Sequence, residues 1–190
     1  EFIFSNDEEN KLPILYPSAM PRLINIHFNR IKNKVSKNDL VIIGLFSHGQ
    51  KGALLLRLGK NSGNEGQANG IFIADNVKNF LNHLKNTNVL LIISACYSGS
   101  FIKPLKSSNI AIVTASSADK TSNGCSPLST GTFYVKNLLN TFDKINNKTE
   151  YSIIDVFYET QKTIKKQEKW KDKSLPQVFI GEKFTIDYNN

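Results

Sequence analysis

Cysteine and histidine are scarce in this 190-residue chain: two of the first, Cys96 and Cys125, and three of the second. That leaves no basis for a disulfide framework and too few ligands to expect a zinc site. A chain this long buries about 70% of the surface it exposes when unfolded, so it needs neither to stay folded. Long apolar runs are missing as well. The longest near-continuous ones, Leu40–Phe46 and Val89–Ile93, fall far short of the roughly 20 residues that span a bilayer, and no membrane span is expected. The chain does not open, at Glu1, on a charged start followed by a long apolar segment, so no signal peptide is expected in it and its compartment stays open. No internal repeat is present. With 40% apolar, 21% charged and 10% aromatic residues the composition is ordinary for a globular protein and argues against disordered, collagen-like and repeat architectures. One domain over residues 1–190 is the expectation.

Negative charge is also in short supply. Sixteen Asp and Glu face 24 Lys and Arg, a net +8, which raises the question of a nucleic-acid or acidic-surface partner. Much of the excess is local. Lys162, Lys165, Lys166, Lys169, Lys171 and Lys173 stand against Glu168 and Asp172. Ile154, Phe157 and Ile164 recur there at helical spacing, which sets the lysines on the opposite, solvated face. The run therefore predicts a solvent face rather than a binding patch, and no nucleic-acid partner is expected.

The rest of the chain alternates strand and helix. A short strand at Phe2–Phe4 is followed by a helix from about Ser18, a natural N-cap, to Val35. Leu40–Phe46 reads as a strand covered on both faces. Ala53–Leu58 and Gly70–Ala74 pair as a hairpin around Gly59–Gly70, which can only be loop. A helix capped by Asp75 runs to about Lys85, Val89–Ser94 and Asn109–Thr114 are buried strands, and helices near Thr132–Phe142 and Ser152–Trp170 precede a last strand at Gln177–Ile180. Asn147-Lys148-Thr149 fits a glycosylation acceptor, a triplet that an Asn-rich chain produces by chance. The sum is an α/β layered sheet with parallel central strands.

The chemistry lies where two of these strands stop. One ends L-V-I-I-G-L-F-S-H-G, with His48 and Gly49 at its carboxyl end; the other ends V-L-L-I-I-S-A-C-Y-S-G-S, with Cys96 in the same place. The segment between them is long enough for a crossover, so the strands should lie parallel and adjacent, about 4.8 Å apart, bringing both side chains to one sheet edge. Open α/β sheets bind ligands there. Ser98-Gly99-Ser100 reads as the start of a helix whose positive end favours a thiolate at Cys96, and His48 can move the proton. Gly49, having no side chain, lets a scissile carbonyl approach its N–H, which with the N–H of Cys96 makes an oxyanion hole.

Other cysteine chemistries fail on the letters. A tyrosine-phosphatase loop needs Arg where Ile102 stands, a thioredoxin site needs Cys where Gly99 stands, and no P-loop or dinucleotide fingerprint follows any strand. The pairing of S-H-G with S-A-C-Y-S-G-S resembles the legumain (asparaginyl endopeptidase) family of cysteine peptidases, in the caspase-like clan, and its bacterial members most of all. T-A-S-S-A-D-K-T-S-N-G-C, over Thr114–Cys125, and L-P-Q-V-F-I-G-E near the end resemble two further family segments, so the similarity covers roughly Ser18–Glu182. It implies an α/β, three-layer, caspase- or hemoglobinase-like fold with a mostly parallel central sheet flanked by helices. It also implies an endopeptidase acting on peptides or proteins through a thioester on Cys96, with His48 as partner and no cofactor or metal.

The chain departs from the family in two places. The strand and helix that open family domains, ahead of Phe2–Phe4, are not visible, and the residue two before the nucleophile is Ser94 where legumains have Glu. Ser94 should look into the specificity pocket from its floor, and Ser122 matches a pocket serine of the family. A serine there discriminates less than a carboxylate; Asn is expected to rank ahead of Asp and well ahead of Arg. Cys125, in a turn-rich loop, is expected to be structural rather than catalytic, and because a disulfide to Cys96 would abolish activity, a reducing environment or mere separation of the two is implied. A transamidase or ligase of the same chemistry, and a catalytically silent module that binds through the basic helix, are the alternatives. Oligomeric state is left open.

Overall fold

The computed structural model describes residues 21–57, 68–124, 132–145, 152–168 and 172–185. Phe2–Phe4, Ser18, Cys125, Asn147–Thr149 and most of Gly59–Gly70 lie outside the described residues. Within them the main sheet has the order β1-β5-β6-β7, built from β1 (Leu40–Phe46), β5 (Asn88–Ser94), β6 (Ile110–Thr114) and β7 (Gln177–Ile180). The first three are parallel and β7 runs antiparallel to β6. A second, antiparallel sheet is formed by β2 (Gly49–Gln50), β3 (Ala53–Arg57) and β4 (Ala68–Ile73).

Period-two alternation in β5 and β6 divides the interior. Val89, Leu91, Ile93, Ile110 and Ile112 face α1 (Pro21–Lys32) and α2 (Ala74–Leu81), where Ile24, Phe28, Val77 and Phe80 complete one core. Phe28 stacks on Phe80 with ring centroids 4.0 Å apart. Leu90, Ala111 and Val113 face α4 (Phe133–Ile145) and α5 (Ile153–Gln167), whose Tyr134, Leu138, Phe157 and Ile164 form the other. The result is three layers, helices on both sides of a mostly parallel sheet.

Four expectations need correction. Among the described residues β1 is the end strand of its sheet, Ile42 and Phe46 are each 58% exposed, and only its Ile43 face is covered. An unbroken apolar run does not by itself reveal which strand ends the sheet. Gly70 pairs with Leu56 and Ala68 with Arg57, so the end of the glycine-rich stretch is strand, not loop. Ile73, not Asp75, caps α2; the Asn76 side chain accepts from the Ile73 N–H at 3.0 Å. Finally, Glu168, which sits in the basic run read as solvated, is 6% exposed. Lys162, Lys165 and Lys166 are exposed as expected. Among the described residues no helix is long and apolar enough to cross a membrane.

Candidate active site

The register of β1 on β5 runs from Leu40 opposite Asn88 to Phe46 opposite Ser94, and the Ser47 N–H continues it by donating to the Ser94 carbonyl at 3.2 Å. His48 and Cys96 each lie two residues beyond the last pair. The two strand endings thus leave the sheet side by side at its carboxyl edge. His48 is exposed and its carbonyl accepts from the Leu55 N–H at 2.8 Å, while the Ser47 hydroxyl donates to the Leu55 carbonyl. These bonds tie the His48 segment to the small antiparallel sheet.

Gly49 packs straight onto the backbone of Cys96. A Cβ built there would lie 2.4 Å from the Cys96 carbonyl oxygen, 2.9 Å from the Ala95 Cβ and 3.4 Å from the Cys96 nitrogen. No side chain fits. After Cys96 the chain turns sharply through Tyr97, which has φ +58°, a left-handed conformation uncommon outside glycine, and the Tyr97 N–H donates to the Lys120 carbonyl at 2.7 Å. The helix expected next is short: a 3-10 turn at Ser98–Phe101 and then α3 (Ile102–Leu105). Its dipole is correspondingly weak.

The group aimed at the half-buried sulfur comes from elsewhere. The backbone N–H of Ser122 donates to Cys96 Sγ at 3.3 Å, and the thiol lies 3.9 Å from the Ser122 carbonyl. Ser122 was read as a pocket side chain. Its hydroxyl is indeed buried, with no hydrogen-bond partner among the described residues, but its contact with Cys96 is through the backbone. Ser94, 1% exposed, pairs its hydroxyl with Thr132 Oγ1 at 2.7 Å, and Thr132 Oγ1 also accepts from the Val135 N–H at 3.2 Å, capping α4. The Ser94 hydroxyl therefore already has a protein partner. Thr132 had been read only as a helix start.

The segment 115–124 flanks Cys96 and is held by serines. Ser116 Oγ donates to the Ala95 carbonyl at 3.0 Å and accepts from the Ser98 N–H at 3.1 Å. The Ser117 hydroxyl donates to Asp119 at 2.6 Å and, helped by a backbone N–H and by Lys120 and Lys51, holds that carboxyl below its ordinary range. On the other side the Ser100 hydroxyl donates to the Tyr97 carbonyl at 2.5 Å and accepts from the Gly52 N–H at 2.8 Å. Cys96 is thus braced from two directions. Among the described residues no cluster of His, Cys, Asp and Glu is arranged to hold a metal.

The model of the peptidase C13 family matches residues 26–186. Among solved structures, caspase-1 from Spodoptera frugiperda is similar with a TM-score of 0.59 at 12% identity, over 89% of this chain and 71% of that one. At that identity the likeness is one of fold, a caspase-like α/β arrangement. No curated protein matches the sequence.

Proposed function

The chain belongs to the peptidase C13 family, a family of cysteine peptidases, and from that premise we propose an endopeptidase that cleaves peptide bonds through an acyl-enzyme on Cys96, with His48 as proton partner. The observation that carries the reading is the parallel register of β1 on β5, which brings the His48 and Cys96 endings to one level of one edge. The thiolate attacks the scissile carbonyl carbon. The oxyanion that forms is met by the N–H groups of Gly49 and Cys96, a role supported by how closely Gly49 packs on Cys96. His48 gives a proton to the leaving amine, a thioester remains on Sγ, and water deprotonated by His48 releases the acid and the thiol. The Ser122 N–H lies 3.3 Å from the attacking sulfur. We place this chemistry in one domain over residues 1–190.

Cys96→Ala abolishes hydrolysis and labelling by thiol-directed acylating probes while circular dichroism stays unchanged. His48→Ala lowers turnover by about 10²–10⁴ yet keeps the thiol reactive toward a small alkylator. Inactivation by Cys125→Ala with activity retained in Cys96→Ala would overturn the assignment. Matched fluorogenic peptides test the preference for Asn over Asp and Arg before the cleaved bond. Adding an amine acceptor to the assay separates hydrolysis from transamidation, since the same thioester serves both. Loss of peptidase activity on charge reversal of Lys165 and Lys166 would favour the reading of a module that binds through the basic helix.

A further inference from the structure

Glu168 follows the last turn of α5, where its N–H donates to the Ile164 carbonyl at 2.8 Å. It is an improbable place for a carboxylate. The side chain is 6% exposed, it lies at the carboxyl end of a helix, where the dipole disfavours negative charge, and among the described residues no cation pairs with it. Three neutral donors hold it instead. The Ser174 N–H reaches Oε2 at 2.8 Å, the Ser174 hydroxyl reaches Oε1 at 2.6 Å, and Asn123 Nδ2 reaches Oε1 at 2.6 Å. Only a carboxylate presents acceptors at both oxygens, whereas glutamine would set an NH2 group against one of these donors.

What those donors are attached to gives the arrangement its meaning. Asn123 is the neighbour of Ser122, and its own carbonyl accepts from the Phe133 N–H at 3.1 Å at the start of α4. The Ser174 carbonyl accepts from the Ser117 N–H at 2.8 Å. One buried carboxylate therefore grips the segment Ser117–Asn123 at both ends, directly at Asn123 and through Ser174 at Ser117. Between those ends lie the Lys120 carbonyl, which takes the Tyr97 N–H, and the Ser122 N–H, which points at Cys96 Sγ.

We propose that Glu168 is a positioning residue for the Cys96 nucleophile: by clamping Ser117–Asn123 it keeps the Ser122 N–H on the sulfur. The inference rests on Cys96 being the nucleophile. It also makes a prediction whose sign a bystander would reverse. Removing a nearby negative charge, taken alone, makes a thiol easier to ionise; losing its N–H donor makes it harder.

The test is the pH dependence of iodoacetamide alkylation at Cys96, read by mass spectrometry on the full chain, beside kcat and KM for a fluorogenic peptide. In Glu168→Gln the alkylation midpoint is expected to rise by about one unit and kcat to fall about tenfold, as loss of one hydrogen bond to a charged group implies, with a smaller change in KM. Asn123→Ala, which leaves the carboxylate its Ser174 donors, gives a shift of the same sign and carries the test should Glu168→Gln fail to fold. A midpoint that stays or falls in the folded variants overturns the inference alone. Wild-type chain alkylated at Cys96 yet still active would overturn the assignment of the nucleophile, and the inference with it.

Discussion

Replacing Gly49 by alanine tests the geometry of the candidate site most directly. The added Cβ would sit 2.4 Å from the Cys96 carbonyl oxygen and 2.9 Å from the Ala95 Cβ, against about 3.4 Å for an ordinary contact, so the two chain endings must part by about 1 Å. Neither obstacle is the free end of a flexible side chain. Overpacking of this kind costs roughly 1–3 kcal/mol of stability, and for a chain of this length that lowers Tm by roughly 2–4 °C per kcal/mol. Activity should suffer far more. A shift of that size carries the Gly49 N–H off the forming oxyanion, and loss of one such donor costs about 10²–10³ in kcat. Alkylation of Cys96 should persist, because the Ser122 N–H that meets the sulfur is untouched. Gly52→Ala is the matched control. Gly52 has φ +73° and open space where its Cβ would go, so alanine there costs about 1–2 kcal/mol through backbone strain while adding no atom against the Cys96 backbone and keeping the N–H that Ser100 accepts. Peptide hydrolysis, melting and alkylation measured on both variants decide the matter. Equal activity in the two, at similar losses of Tm, would refute an oxyanion role for Gly49.

Three further outcomes follow from buried and capping groups. The Tyr134 hydroxyl is 1% exposed with no partner among the described residues, and burial pushes its phenol well above the ordinary range. Tyr134→Phe removes an unsatisfied polar group that costs roughly 1–3 kcal/mol, so Tm measured by calorimetry should hold or rise. At the start of α5 the Ser152 hydroxyl and N–H donate to Asp155 at 2.7 and 2.8 Å, lowering its carboxyl below the ordinary 3.8. Because the folded pKa is depressed, this contribution is present above about pH 4 and is lost as pH falls through the folded value; melting scans should show Ser152→Ala flattening that acid dependence. Lys165→Glu with Lys166→Glu, on the exposed face of α5, should leave kcat/KM within about threefold of wild type, surface charge changes being small in effect.

Strands were legible to the residue where their apolar runs end abruptly. β1 and β7 begin and end where the letters place them, Leu40–Phe46 and Gln177–Ile180. Boundaries moved where a side chain does something other than continue the element. Asn109, read as the first residue of β6, instead donates from Nδ2 to the Leu84 and Thr87 carbonyls at 2.8 and 2.6 Å, and the strand starts at Ile110. The apolar stripe of α2 runs on to Leu84, but past Leu81 the backbone tightens, His83 bonding Phe80 and Leu84 bonding Leu81. Periodicity sees the stripe and not the change of hydrogen-bond partner.

The site divides along a similar line. His48, Gly49 and Cys96 could be singled out as candidates from letters because their chemistry is in their type: a proton carrier, a missing side chain, a thiol. The Ser122 N–H had no such signal, since every residue but proline carries the same donor and only the path of Ser117–Asn123 aims this one at sulfur. Ser94 has a partner that the letters do not show. Its alternation with Cys96 puts its hydroxyl on the same side as the sulfur, and Thr132, distant in sequence, pairs with that hydroxyl. Glu168 was hidden most completely, because a carboxylate among six lysines counts in a sequence as one more solvated charge. Its three donors, Asn123 and the two from Ser174, turn it inward. A buried carboxylate that no cation pairs with among the described residues is costly to keep, and in this fold what it holds in place is the segment bearing the donor to Cys96.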